Sequence, residues 1–170
     1  MRVRRALLLA AVAGAIAGCG AGPEETRFLS FDAESTPRAI LVSGWSGFES
    51  EPSGDTFVWA QGRRAAVEVH ANRVRGRLLR VRCWPFRWDG APPQTVTVTL
   101  NGARLETTGL SDGPRVYSVA TPAEAWRQGK NVLTFDFAYA EAPKDRVPGG
   151  GDARTLAAAF DWLEIVPNPE

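Results

Sequence analysis

Hydrophobic and polar positions alternate one by one along most of the chain beyond residue 38. In TVTVTL, residues 95–100, Val96, Val98 and Leu100 share one side while Thr95, Thr97 and Thr99 share the other. VLTFDFAY repeats the pattern, with Leu133, Phe135 and Phe137 on a common side. A period of two marks a half-buried β-strand. The pattern predicts eight strands, near 39–43, 56–60, 65–70, 77–84, 95–100, 115–120, 131–139 and 156–166. Asn101-Gly102 supplies the left-handed residues of a two-residue hairpin, and SDGP at 111–114 is a second turn. TPAEAWRQGKN departs from the alternation. There Thr121 suits an N-cap, Pro122 the first helical position and Glu124 a capping box, with Gly129 as the stop. The expected fold is all-β: a jelly-roll β-sandwich with one short helix, without repeats and without a second domain. The glycine-rich stretch 140–154 reads as a long loop, a length usually tied to function or mobility.

The N-terminus follows other rules. Arg2, Arg4 and Arg5 precede the apolar run Ala6–Ala17, which is about half the ~20 residues of a membrane span and reads as a signal peptide. Ile16-Ala17-Gly18-Cys19 resembles the lipobox of bacterial lipoproteins. That resemblance implies cleavage before Cys19 and diacylation of its thiol, an anchor strengthened by roughly 0.8 kcal/mol for each buried methylene. The expected division is a signal peptide at 1–18, a lipidated Cys and tether at 19–27, and one sandwich domain at 28–170. Gly20 stands where inner-membrane retention would place Asp. The resemblance therefore implies an outer-membrane anchor facing the periplasm, in a cell envelope that has an outer membrane. Loss of the leader leaves 17 of the 20 basic residues against 19 acidic ones, a balance in which nothing argues for a nucleic-acid partner. With Cys19 acylated, Cys83 has no disulfide partner. Its place in LLRVRCWPF puts it beside Leu79 and Val81 as a buried, inert thiol.

Longer segments carry a second resemblance. VTVTLNGARL, then VYSVATPAEAWRQGKNVLTFDF, is similar to the strand–Asn-Gly–helix–Gly-x-Asn pattern of galactose-binding-like jelly-roll domains. Gly44, Trp45 and Glu49, with the late GDARTLAAAFDWLEI, resemble sandwich domains beside sulfatase-like and polysaccharide-handling enzymes. Such modules accompany glycoside hydrolases and also serve as carbohydrate-binding modules. The resemblance implies a non-catalytic glycan-binding role and a structural calcium where Asp152 meets loop carbonyls, since hard cations take carboxylate and backbone oxygens.

Catalytic signals are weak beside this. Gly44-Trp45-Ser46-Gly47-Phe48 has Phe where a nucleophile elbow needs its last Gly, and His70 is the sole histidine. Paired carboxylates for glycoside cleavage could come from Glu49, Glu51 and Asp55, or from Asp152, Asp161 and Glu164. Transition metals lack ligands. Binding has more behind it. Residues 63–87 hold eight arginines against one acid, Glu68. Arg80, Arg82 and Trp84 share the face opposite Cys83, and Trp88 follows in a loop. Guanidinium groups pair with carboxylate, sulfate or phosphate, and indole rings stack on sugars. Against this, the chain uses 18 Arg and 2 Lys throughout, so the run also fits a general preference for Arg on a solvated face. Asp152, Arg154 and the loop residue Trp45 form a second rim, with Trp45 equally able to plug the sandwich end. Phe57 and Trp59 share a strand face, which places Trp59 in the core, while Trp126 on the short helix and Trp162 in the last strand read as packing residues. The leading expectation is a lipid-anchored binding module for a glycan or anionic polysaccharide. The alternatives are a lipoprotein docking onto an envelope protein and a small glycan-cleaving enzyme.

Overall fold

The computed structural model describes residues 25–32, 36–51 and 54–168. The leader, Cys19 and most of the tether lie outside the described residues. Eleven strands form two antiparallel sheets. The strands are β1 (Phe28–Ser30), β2 (Leu41–Ser43), β3 (Trp45–Ser50), β4 (Thr56–Gln61), β5 (Arg64–Ala71) and β6 (Arg77–Pro85), followed by β7 (Gln94–Leu100), β8 (Ala103–Leu110), β9 (Arg115–Thr121), β10 (Gly129–Phe137) and β11 (Leu156–Pro167). One sheet, A, runs β3-β4-β11-β6-β9, with β1 on the C-terminal half of β11 beyond the end of β4. The other, B, runs β2-β5-β10-β7-β8. This is the expected all-β sandwich.

All eight expected strands are present, to within a few residues at their ends. β1, β3 and β8 are additional. Asn101 (φ 52°) and Gly102 (φ 86°) close the β7–β8 hairpin as the sequence predicts. The helix does not form as expected. Thr121 ends β9 instead of capping, and only a 3₁₀ turn, Ala123–Ala125, follows. The Thr121 hydroxyl donates to the Arg77 carbonyl (2.8 Å) and accepts from Trp126 Nε1 (2.9 Å), so tertiary bonds take the group that a cap would use. The one α-helical turn among the described residues, α1 (Pro143–Arg146), lies within the 140–154 loop.

The core fills the space between the sheets. Phe160 of β11 meets Trp45, Phe135 and Phe31 edge-on, with ring centroids 5.1, 5.0 and 6.0 Å away. Trp45 Nε1 donates to the Ala66 carbonyl at 2.7 Å and so ties sheet A to sheet B. Buried aromatic rings of this kind carry large apolar areas, and their one polar atom needs a partner. Cys83 is buried in the same core, and desolvation pushes its thiol up to about 12.

Candidate functional site

The outer faces of the two sheets differ in kind. An antiparallel sheet with one wet face normally shows polar residues there, and sheet B does, with Thr95, Thr97, Thr99, Thr134, Asp136 and Glu68 in adjacent strands. Sheet A presents aromatic rings over half of its outer face. Trp59 of β4 and Trp84 of β6 are both in register with Ala159 of β11, one on either side. Ala159 lies fully buried beneath them while both indoles are half-exposed. Phe57 packs edge-on to Trp59 (5.9 Å) and Trp84 (5.4 Å). From Trp59 the cluster continues to Phe86 (6.2 Å), then Trp88 (5.6 Å), then Tyr139 (5.1 Å).

Second contacts hold this platform in place. The Tyr139 hydroxyl donates to the Phe86 carbonyl at 2.7 Å. The buried Gln94 amide donates to the carbonyls of Tyr139 (2.9 Å) and Ala157 (3.2 Å). Arg146 of α1 lies over the Trp88 ring, its guanidinium carbon 5.3 Å from the centroid, and pairs with Glu141 at 3.1 Å. The long loop thereby borders the platform.

Arg154 closes another margin. It donates to both oxygens of Asp152 (2.6–3.0 Å) and to Glu49 Oε1 (2.5 Å). Glu49 is in register with Phe57, so this polar clasp adjoins the rings. The guanidinium holds the Asp152 carboxyl below the usual carboxylate range, and the two carboxylates hold Arg154 above its own. A calcium at Asp152 would have to displace that guanidinium. Among the described residues no group of three His, Cys, Asp or Glu side chains could hold a metal.

The expected residues thus separate. Trp84 and Trp88 share the platform. Arg80 and Arg82 lie on the same outer face of β6, further along the sheet, but not as free cations. Arg80 pairs with Glu164 at 2.7 Å and lies 5.9 Å from the Trp162 ring centre. Arg82 pairs with Asp161. A bulge in β11 between Phe160 and Trp162 turns both Asp161 and Trp162 outward to meet these arginines. Two corrections follow. Trp45 is core, stacked on Phe31 at 5.4 Å, and no ligand can reach its face. Phe57 and Trp59, expected inside, lie on the outside of the sheet, because β4 turns Val58 and Ala60 inward. Alternation shows that Phe57 and Trp59 share a face but not which face is wet, so Trp59 escapes a sequence reading. Ser46 is no nucleophile in this setting, since its hydroxyl donates to the Gly47 carbonyl and accepts from the Trp59 amide.

No protein-family model and no curated protein matches the sequence. Solved structures do. A native family 35 carbohydrate-binding module from Clostridium thermocellum superposes with a TM-score of 0.55 at 12% identity, over 84% of this chain and 100% of that one. The fold is similar to that of a carbohydrate-binding module. Domains of two larger enzymes share it. A family GH115 4-O-methyl-α-glucuronidase with specificity for decorated arabinogalactans matches at TM-score 0.55 and 10% identity, over 88% of this chain and 18% of the enzyme. A ruminal GH26 endo-β-1,4-mannanase matches at 0.52 and 10%, over 87% and 28%.

Proposed function

We propose that this protein is a non-catalytic glycan-binding module of the cell envelope, anchored through Cys19, and that sugar rings stack on the aromatic outer face of sheet A. The observation that carries this is the Trp59–Ala159–Trp84 row, with Trp88 beyond it, on a sheet face where alternation would otherwise place polar groups. Flat apolar rings match the C–H faces of pyranoses, and Glu49, Asp152 and Arg154 offer donors and acceptors to hydroxyl groups at the margin. Because Arg80 and Arg82 are already neutralised by Glu164 and Asp161, the favoured ligand is a neutral glycan rather than a polyanion. The acids argue the same way about chemistry. A glycosidase needs two carboxyl groups facing one cleft and free to act on the substrate, whereas Glu49, Asp152, Asp161 and Glu164 are each engaged by an arginine.

Affinity electrophoresis through gels cast with neutral or uronate-rich polysaccharides tests this reading. Retardation by a neutral polymer, unchanged at raised salt, is the expected result. Migration unaffected by every polymer would remove glycan binding and leave docking onto an envelope protein as the better reading.

A further inference from the structure

The end of the sandwich where residues 25–27 join the fold has a different character from the sugar-facing half of sheet A. Thr26 is pinned to the end of β5 by two bonds, its amide to the His70 carbonyl and the His70 amide to its hydroxyl, both 2.8 Å. Around it lie Arg27, Arg73 and Arg75. Arg127 stands just before Gly129, which is in register with Ala71. Most arginines on the outer face of sheet A are paired closely with acids, but here Arg75 approaches Glu25 only to 3.7 Å. Among the described residues, Arg27 and Arg73 have no ion-pair partner. Glu25 is already committed to the buried Arg77, at 2.5 Å. Arg77 in turn lies over the Trp126 ring at 4.7 Å.

Two further features coincide. Val74 (56% exposed) and Phe28 (55%) are the most exposed large apolar side chains among the described residues. Each is flanked by arginine in the sequence, as Arg73-Val74-Arg75 and Arg27-Phe28. Beside Phe28 and Arg75 opens a cavity of about 430 Å³, lined also by Glu25, Arg27, Arg77 and Val166. Apolar tips set among unpaired guanidiniums suit an interface with an apolar interior beneath a layer of phosphates.

We infer that this end of the sandwich docks on the anionic phospholipid surface to which the chain is tethered. Arg27, Arg73 and Arg75 face headgroup phosphates, and Val74 and Phe28 reach the headgroup–acyl boundary. The choice of a membrane over other polyanions rests on the reading of Cys19 as the lipid-bearing residue. Only six residue steps separate Cys19 from Glu25, at most about 20 Å of extended chain. The anchor therefore keeps this end against the bilayer and directs the Trp59–Trp84 half of sheet A away from it.

All the strands and the core of the described residues lie between residues 25 and 168, so the chain from Gly20 onward contains this sandwich without its lipid. Its co-sedimentation with vesicles of phosphatidylcholine alone, or mixed with phosphatidylglycerol, tests the inference. Binding is expected only with phosphatidylglycerol and is expected to weaken with salt. At about fivefold for each basic residue near an anionic surface, Arg27→Gln, Arg73→Gln and Arg75→Gln together are expected to weaken it roughly 100-fold. Val74→Ser should weaken it at all salt concentrations, and Arg115→Gln, at the opposite end of β9, should leave it unchanged. Equal binding to both vesicles, an unaffected triple variant, or binding to a soluble sulfated polymer without binding to vesicles would each overturn the docking surface. Mass spectrometry of Cys19 in the full chain tests the anchor separately. A bare thiol there would sink the anchored reading without changing what the vesicle result says about the arginines.

Discussion

Two tryptophans of sheet A have opposite duties. Trp45 is enclosed by Phe31, Phe135 and Phe160 and donates to the Ala66 carbonyl, whereas Trp84 packs over Ala159 with Phe57 edge-on to its ring, on a half-wet face. Trp45→Ala is expected to lower stability by about 3–5 kcal/mol, and Trp84→Ala by about 1 kcal/mol, as read from urea unfolding. Comparable losses from the two would contradict the assignment of Trp45 to the core and Trp84 to the binding face. Cys83 offers a check of the same core by chemistry. With its thiol pushed up to about 12 by burial, roughly one part in ten thousand is thiolate at pH 8. A thiol reagent should therefore leave the folded chain from Gly20 onward, whose one thiol is Cys83, unmodified and label it on unfolding. Rapid labelling of the folded chain would show that the β6 face opens to solvent.

At the scale of elements, the sheet edges depend on a few backbone positions. Gly44 joins β2 to β3 with φ +75°, and a Cβ there would come 2.1 Å from the Arg64 carbonyl oxygen. Gly62 has nearly the same φ, +74°, with nothing near its Cβ position. Both Gly→Ala changes should cost about 1–3 kcal/mol for the left-handed backbone, and Gly44→Ala should cost more because the β2–β3 corner must move off the β5 backbone at Arg64 and Ala65. Equal losses in thermal unfolding would contradict the close approach. These elements also show what a sequence discloses. Strict alternation made β6, β7 and β10 legible, and Asn101-Gly102 marked its hairpin. β8 was not legible because ARLETTGL lies at the edge of sheet B, exposed on both sides over most of its length, and so has no reason to alternate. The predicted helix failed because Arg77 and Trp126 engage Thr121, contacts that no local pattern encodes. The candidate site was half legible. Trp84 and Trp88 were marked by their neighbours, but the carboxylates that neutralise Arg80 and Arg82 come from β11, some eighty positions away in the chain.

For the whole molecule, the proposed arrangement is polar along its long direction. Arginines without a close acid partner and exposed apolar side chains gather where the chain enters the fold. Paired charges occupy the middle of sheet A, and the Trp59–Trp84–Trp88 platform occupies the far half, bordered by the 140–154 loop. A sandwich held by one end can present such a face to polymers without touching the bilayer with it. The decisive measurement is tryptophan fluorescence of the chain from Gly20 onward, titrated with a neutral polysaccharide at low and raised salt, beside Trp59→Ala and Trp84→Ala variants. Saturable binding that ignores salt and falls roughly fivefold or more in each variant, in keeping with about 1 kcal/mol for a lost stacking ring, is the expected result. Binding that survives both substitutions, or that appears only with acidic polymers and vanishes with salt, would contradict the aromatic face as the site.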